Sequence, residues 1–184
     1  MLGEAEWRRH AELIGRVALA WNANVHSLLK IFCFLTGMTS PLADAIFFAS
    51  KSDAQQRQLI QRVAEVTLVD PAAIRSLAAL LDRLDKLAGG RNSAVHVIFG
   101  VSLFDPATSV WSPTVVPALT DPPQDTKLQA DFKAQFEAAE RNLVASREAL
   151  DQWLVNTPRD LYPHRAPEID WSGDAAARVS TNTL

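Results

Sequence analysis

Cysteine is nearly missing from this 184-residue chain: Cys33 stands alone, inside the apolar run Ile31-Phe32-Cys33-Phe34-Leu35. A single cysteine excludes an intramolecular disulfide and points to a reducing compartment, with the thiol serving as a small buried hydrophobe. An excess of positive charge is missing too. Eighteen Lys and Arg stand against 21 Asp and Glu, for a formal net charge of −3, which argues against a protein that coats nucleic acid through a broad basic face. A small basic groove is still compatible with that charge, and would grip a few phosphates with modest, salt-sensitive affinity. Nor is there a run of the ~20 apolar residues that span a bilayer. The longest apolar stretch, about residues 25–38, is interrupted by His26, Ser27 and Lys30, so no membrane span and no membrane partner are expected. The first ten residues mix acids with bases and lack the apolar centre of a secretory signal, so a cytoplasmic location is expected. No internal repeat is visible.

What is present is ordinary globular material: 48% hydrophobic and 21% charged residues, enough to bury one core without staples. Trp7, Leu13, Ile14, Val17, Trp21, Val25, Leu28 and Phe32 recur at helical spacing, which predicts a first helix over about Glu4 to Leu35. Gly37 and Ser40-Pro41 stop it and start a short second helix around Leu42, Ala45, Ile46 and Phe47. Ser52 or Asp53 can cap a third, about 53–68, with Leu59, Ile60, Val63 and Val66 inward. Asp70-Pro71 opens a fourth, striped by Ile74, Leu77, Leu81, Leu84 and Leu87. Gly89-Gly90 is expected to end it, and the next residues to begin a new helix.

From Ile98 to about Asp125 glycine and proline exclude a long helix. Val97 to Phe104 and Val110 to Val116 are rich in β-branched and aromatic residues, so the excursion is either a short two-stranded ribbon or a loop. A last helix, about Lys127 to Val155, carries Phe132, Phe136, Ala139, Leu143, Leu150 and Trp153 on one side. The expected fold is therefore mostly α, a bundle of about five helices over residues 1–157. A polar, proline-containing tail, 158–184, follows, either draped over the surface or disordered.

One segment carries chemistry: Arg91-Asn92-Ser93-Ala94-Val95-His96. Asn92 and His96 are four apart and lie about 40° from each other around a helix. Asn92 can then orient the imidazole, and Arg91 is long enough to swing toward the same space. Histidine near neutrality can take a proton from a ribose 2′-hydroxyl or give one to the leaving oxygen. Arginine matches the oxygens of the phosphorane with a planar donor fork that stays charged. No metal or cofactor is needed for such a cleavage. One histidine cannot readily serve both sides of the phosphorus, so a symmetric dimer that brings two copies together is part of the reading. The same residues also fit a solvated cap or ion pair with no catalytic role.

The Arg-x4-His element RNSAVH, with a polar residue directly after the arginine, resembles the signature of the HEPN superfamily of helical nucleotide-associated proteins. Its setting is similar as well: a long first helix carrying Trp21-Asn22-Ala23-Asn24, a polar start Ser52-Asp53-Ala54-Gln55-Gln56-Arg57 to a later helix, then a leucine-rich helix, over about residues 5–155. The resemblance implies an α-helical bundle, homodimerisation and, in active members, metal-independent RNA cleavage where two motifs meet. It implies catalysis by Arg91 and His96 and orientation by Asn92, with Ser93, Asp53, Arg57 and His26 as candidate orienting or binding residues. A toxin or defence role, with a separately encoded antitoxin as partner, follows from the same likeness, as does the alternative of a non-catalytic module that binds nucleotide, RNA or a protein.

Other polar residues have plainer readings. Glu4, Glu6, His10 and Glu12 lack a second Glu-x-x-His copy, so a solvated face is expected there rather than a di-metal centre. His26 flanks the first helix's stripe and either faces the cleft or is a hydrogen-bonded core residue. Asp53 and Arg57 form an i, i+4 pair. Trp7, Trp21 and Trp153 fit core stripes, whereas Trp111 either stacks on a base or staples the excursion to the bundle.

Overall fold

A computed structural model describes residues 4–50, 52–96, 99–105, 110–117 and 132–158. Its elements in chain order are α1 Glu4–Thr36, α2 Ser40–Phe47, α3 Asp53–Thr67, α4 Pro71–His96, β1 Phe99–Asp105, β2 Val110–Pro117 and α5 Phe132–Asn156. Among the described residues the protein is a mostly α bundle of five helices, with an antiparallel two-stranded ribbon between α4 and α5. The ribbon runs from the pair Phe99 with Pro117 to the pair Asp105 with Val110, with an irregularity between Ser102 and Phe104. The expected tail falls outside the described residues, except for its first residue, Pro158.

Helix α1 is the spine, in contact with α2, α3, α4, α5 and β2. Val17, Trp21, Leu28, Ile31, Phe32 and Leu35 bury its inner face, and removing each large apolar side chain from water contributes about 1.5–3 kcal/mol. Cys33 is buried there as a free thiol. Polar groups tie α1 to α5 across the same seam. Asn24 Nδ2 donates to the carbonyls of Ala20 and Leu143, at 2.9 and 2.8 Å, and Ser27 Oγ donates to Asp151 at 2.8 Å. On the other side of α5, Trp153 Nε1 donates to Ser76 Oγ of α4 at 3.0 Å.

The helix starts follow local chemistry. Ser52 Oγ accepts from the Gln55 amide at the head of α3. Asp70 accepts from the amides of Ala72 and Ala73 at the head of α4, beside Pro71. Gly37, at φ 66°, takes the left-handed turn after α1.

Four expectations change. Gly89-Gly90 does not end α4, which continues without a break to His96, so the RNSAVH segment forms its last turns and not the first turns of a new helix. The glycine pair instead permits close packing: a Cβ on Gly90 would lie 3.2 Å from Cβ of Ala139 on α5. Val66 is 85% exposed, because the buried line on α3 is Gln56, Ile60 and Ala64, and position 66 is about 120° away from it around the helix. Trp7 is also exposed rather than in the core stripe, while His10, expected on a solvated face, is buried between Trp7 and Phe136. The stripe near the amino terminus therefore has its phase set by α5.

Over Trp7–Thr36, α1 is long and apolar enough to match a membrane span by length and composition, and half of that apolar window is buried inside the bundle.

Candidate functional site

Only Leu68, Val69 and Asp70 connect α3 to α4, so the two helices are antiparallel neighbours and the first turns of α3 lie beside the Asp85 stretch of the longer α4. Three buried stripes converge there. On α3, Arg57 lies on the buried side with Ile60 and Ala64. On α4, Leu77, Leu84 and Arg91 are spaced by sevens, so once the helix continues through the glycines Arg91 occupies the inward row. On α1, the row of Val17, Trp21, Asn24 and Leu28 brings an indole near both guanidinium groups.

The result is one buried tryptophan with two guanidinium groups. Trp21 is 3% exposed; the Arg57 Cζ is 6.0 Å and the Arg91 Cζ 5.6 Å from its ring centroid. Each approach is worth about 0.5–2 kcal/mol, depending on desolvation. Arg57 is 7% exposed, and its Nη2 donates to Asp85 of α4. Its Nη1 is enclosed and has no acceptor, a cost of about 1–3 kcal/mol for an unmade buried bond. Arg91 is half-buried and donates from Nη1 to the exposed Asn92 Oδ1 at 2.9 Å. The Asp85 side chain is 63% exposed, so the cluster opens to water on the Asp85 and Asn92 side.

Two cations against one carboxylate leave a local positive excess in a chain that is acidic as a whole. The end of α4 presents carbonyls, not amides, so it supplies no backbone donors for an anion. An oxyanion at this end of the bundle would be held by the guanidinium forks, whose geometry suits phosphate and carboxylate.

The anticipated residues divide as follows. Arg57, Arg91 and Asn92 come together with Trp21. Asp53 sits at the head of α3, but Arg57 pairs with Asp85 and not with Asp53 one turn back, because its guanidinium lies inward toward α4. His26 is exposed and lies about 140° around α1 from Trp21, so it is neither a core histidine nor part of the cluster. Asn92 spends its oxygen on Arg91. The backbone of Ser93 and His96 lies in the last turn of α4; their side chains, like that of Trp111, are outside the described residues. Trp21 and Asp85 were missed as site residues. Arg91 also continues the Leu77 and Leu84 row, a signal present in the sequence but masked by reading the glycine pair as a stop.

Away from this cluster, burial pushes the His10 imidazole below its ordinary pKa, and the nearby Lys133 ammonium lowers it further. Among the described residues no group of three or more His, Cys, Asp or Glu gathers to hold a metal ion.

Fold and site thus define the class: a mostly α helical bundle in which two guanidinium groups, from α3 and α4, approach one buried indole of α1. No family model matches the chain, and neither a curated protein nor a solved structure does.

Proposed function

We propose that this protein is a metal-independent endoribonuclease of the HEPN type, acting as a homodimer in a toxin or defence role. The observation that supports it is the location of Arg91: half-exposed, held over Trp21 and bonded to Asn92, five residues before the histidine that ends the same helix. A guanidinium so fixed contributes charge to a phosphorane without the entropic cost of ordering a free side chain. In this reading His96 moves the proton of the ribose 2′-hydroxyl or of the leaving oxygen, and the products carry cyclic phosphate or 3′-phosphate ends.

A second reading is a non-catalytic HEPN-like module that binds nucleotide, RNA or a protein. The bond from Arg91 to Asn92 favours it, since Asn92 then steadies the arginine rather than the imidazole. One experiment separates the two. Purified protein is incubated with RNA in EDTA, alongside His96→Ala and Arg91→Ala variants checked for folding by circular dichroism. Cleavage that survives EDTA and falls at least a hundredfold in both variants supports the nuclease. Binding without turnover supports the module, and normal cleavage by both variants removes the mechanism.

A further inference from the structure

We infer that Arg57, a residue of α3 outside the Arg-x4-His element, is the second half of a phosphate-oxyanion seat whose first half is Arg91. The inference rests on the reading of Arg91 as a phosphate-binding residue. It adds the group that completes the seat and the carboxylate that guards it.

Four observations lead there. The Arg57 guanidinium is almost wholly buried, yet its Nη1 has no acceptor. Its Cζ and that of Arg91 lie 6.0 and 5.6 Å from the Trp21 ring centroid, so two like charges are held near one ring. Among the described residues Arg57 forms its ion pair with Asp85, on the water-facing rim. Finally, Arg91 and Asn92, the other members of the cluster, also reach solvent. A buried donor left unmade and two cations near one ring are each unfavourable, and a bound phosphate backbone relieves both: an oxyanion accepts from Arg57 Nη1 and is drawn by the charge of Arg91. Asp85 occupies Nη2 in the meantime, as an internal anion that an incoming phosphate must outcompete. Asp85 and Asn92, whose side chains are exposed, mark the side of the cluster that meets water. The ligand class is the phosphate backbone of single-stranded RNA, because the cluster lies on the helix that ends in His96. Trp21 is buried beneath the cations and offers no face to a base, so recognition here is of phosphate and not of sequence.

The test measures binding of a 2′-O-methyl oligoribonucleotide, which cannot be cleaved through its 2′ oxygen, to the full chain and to Arg57→Lys, Arg57→Gln and Asp85→Asn variants. Adenosine triphosphate is run in parallel. Arg57→Gln is expected to weaken oligonucleotide binding at least tenfold and Arg57→Lys several-fold, since lysine keeps the charge but loses the fork. Asp85→Asn is expected to tighten binding several-fold, because it removes the competing carboxylate; this opposite sign keeps the test decisive if Arg57→Gln fails to fold. Wild-type affinity in both Arg57→Lys and Asp85→Asn, or weaker binding in Asp85→Asn, overturns the inference. Arg57-dependent binding of the triphosphate without the oligonucleotide overturns the assignment to RNA backbone. The two levels fail separately. His96-dependent cleavage with an unchanged KM in Arg57→Lys leaves the nuclease standing without this seat. Arg57-dependent oligonucleotide binding with no cleavage of ordinary RNA leaves the seat standing without the nuclease.

Discussion

An imidazole in an apolar seat gives up part of its basicity, and His10 does so between Trp7 and Phe136. Burial disfavours its charged form and Lys133 repels it, so the folded pKa lies below the ordinary value of 6.5. The unfolded chain therefore binds more protons than the folded one in the interval just below 6.5. The stability contributed by neutral His10 is complete above that pH and is lost as pH falls from 6.5 toward the folded pKa. Urea midpoints at pH 7.5 and 5.5 should show a larger acid loss for the wild type than for His10→Phe. An identical loss in both would mean that the carboxylates alone account for it. The same desolvation acts with the opposite sign on Cys33, whose thiol is pushed up by burial, in keeping with a packing role rather than a reactive one.

Along an element, adjacent glycines can do different work. Gly89 and Gly90 are both interior to α4, where glycine costs about 0.5–1 kcal/mol relative to alanine. A Cβ at Gly89 meets nothing within 4 Å, whereas one at Gly90 lies against Ala139. Gly89→Ala should therefore stabilise the fold by about 0.5–1 kcal/mol, read as a higher thermal midpoint. Gly90→Leu should destabilise it by about 1–3 kcal/mol, because the side chain must push α5 away. If the two substitutions had equal effects, the close approach of α4 and α5 would not be what retains the second glycine. The site is sensitive to this contact, since Arg91 is the next residue.

For the whole molecule, one imidazole cannot readily serve both sides of a phosphorus, and the nuclease reading therefore calls for two copies of the chain. The nuclease proposal accordingly expects a dimer by light scattering, and a cleavage rate per protomer that falls on dilution through the range where the dimer dissociates. Cleavage at full rate by a monomer would require a second proton-transfer group within one chain. The apolar length of α1 has a use inside the bundle, because that helix contacts every other helix and its inner face forms much of the core.

Much of the fold was legible along the chain. The 3.6-residue stripes marked α1 through α5, and Ser52 and Asp70-Pro71 marked two helix starts, because backbone propensity and amphipathic pattern are local properties; the β-branched runs left ribbon and loop both open. Arg91, Asn92 and Arg57 were visible as candidates. Whether a glycine pair stops a helix or seats a neighbour depends on what lies across from it, and only the approach of Ala139 decided that. Continuation of α4 then placed Arg91 on the inward row and set it on Trp21, the ring that Arg57, 34 positions earlier in the chain, also approaches. Burial, the switch of the Arg57 partner from Asp53 to Asp85, and the outward face of His26 belong to tertiary structure as well. Those properties arise when separate helices exclude water together, and spacing within one helix carries no record of its neighbour.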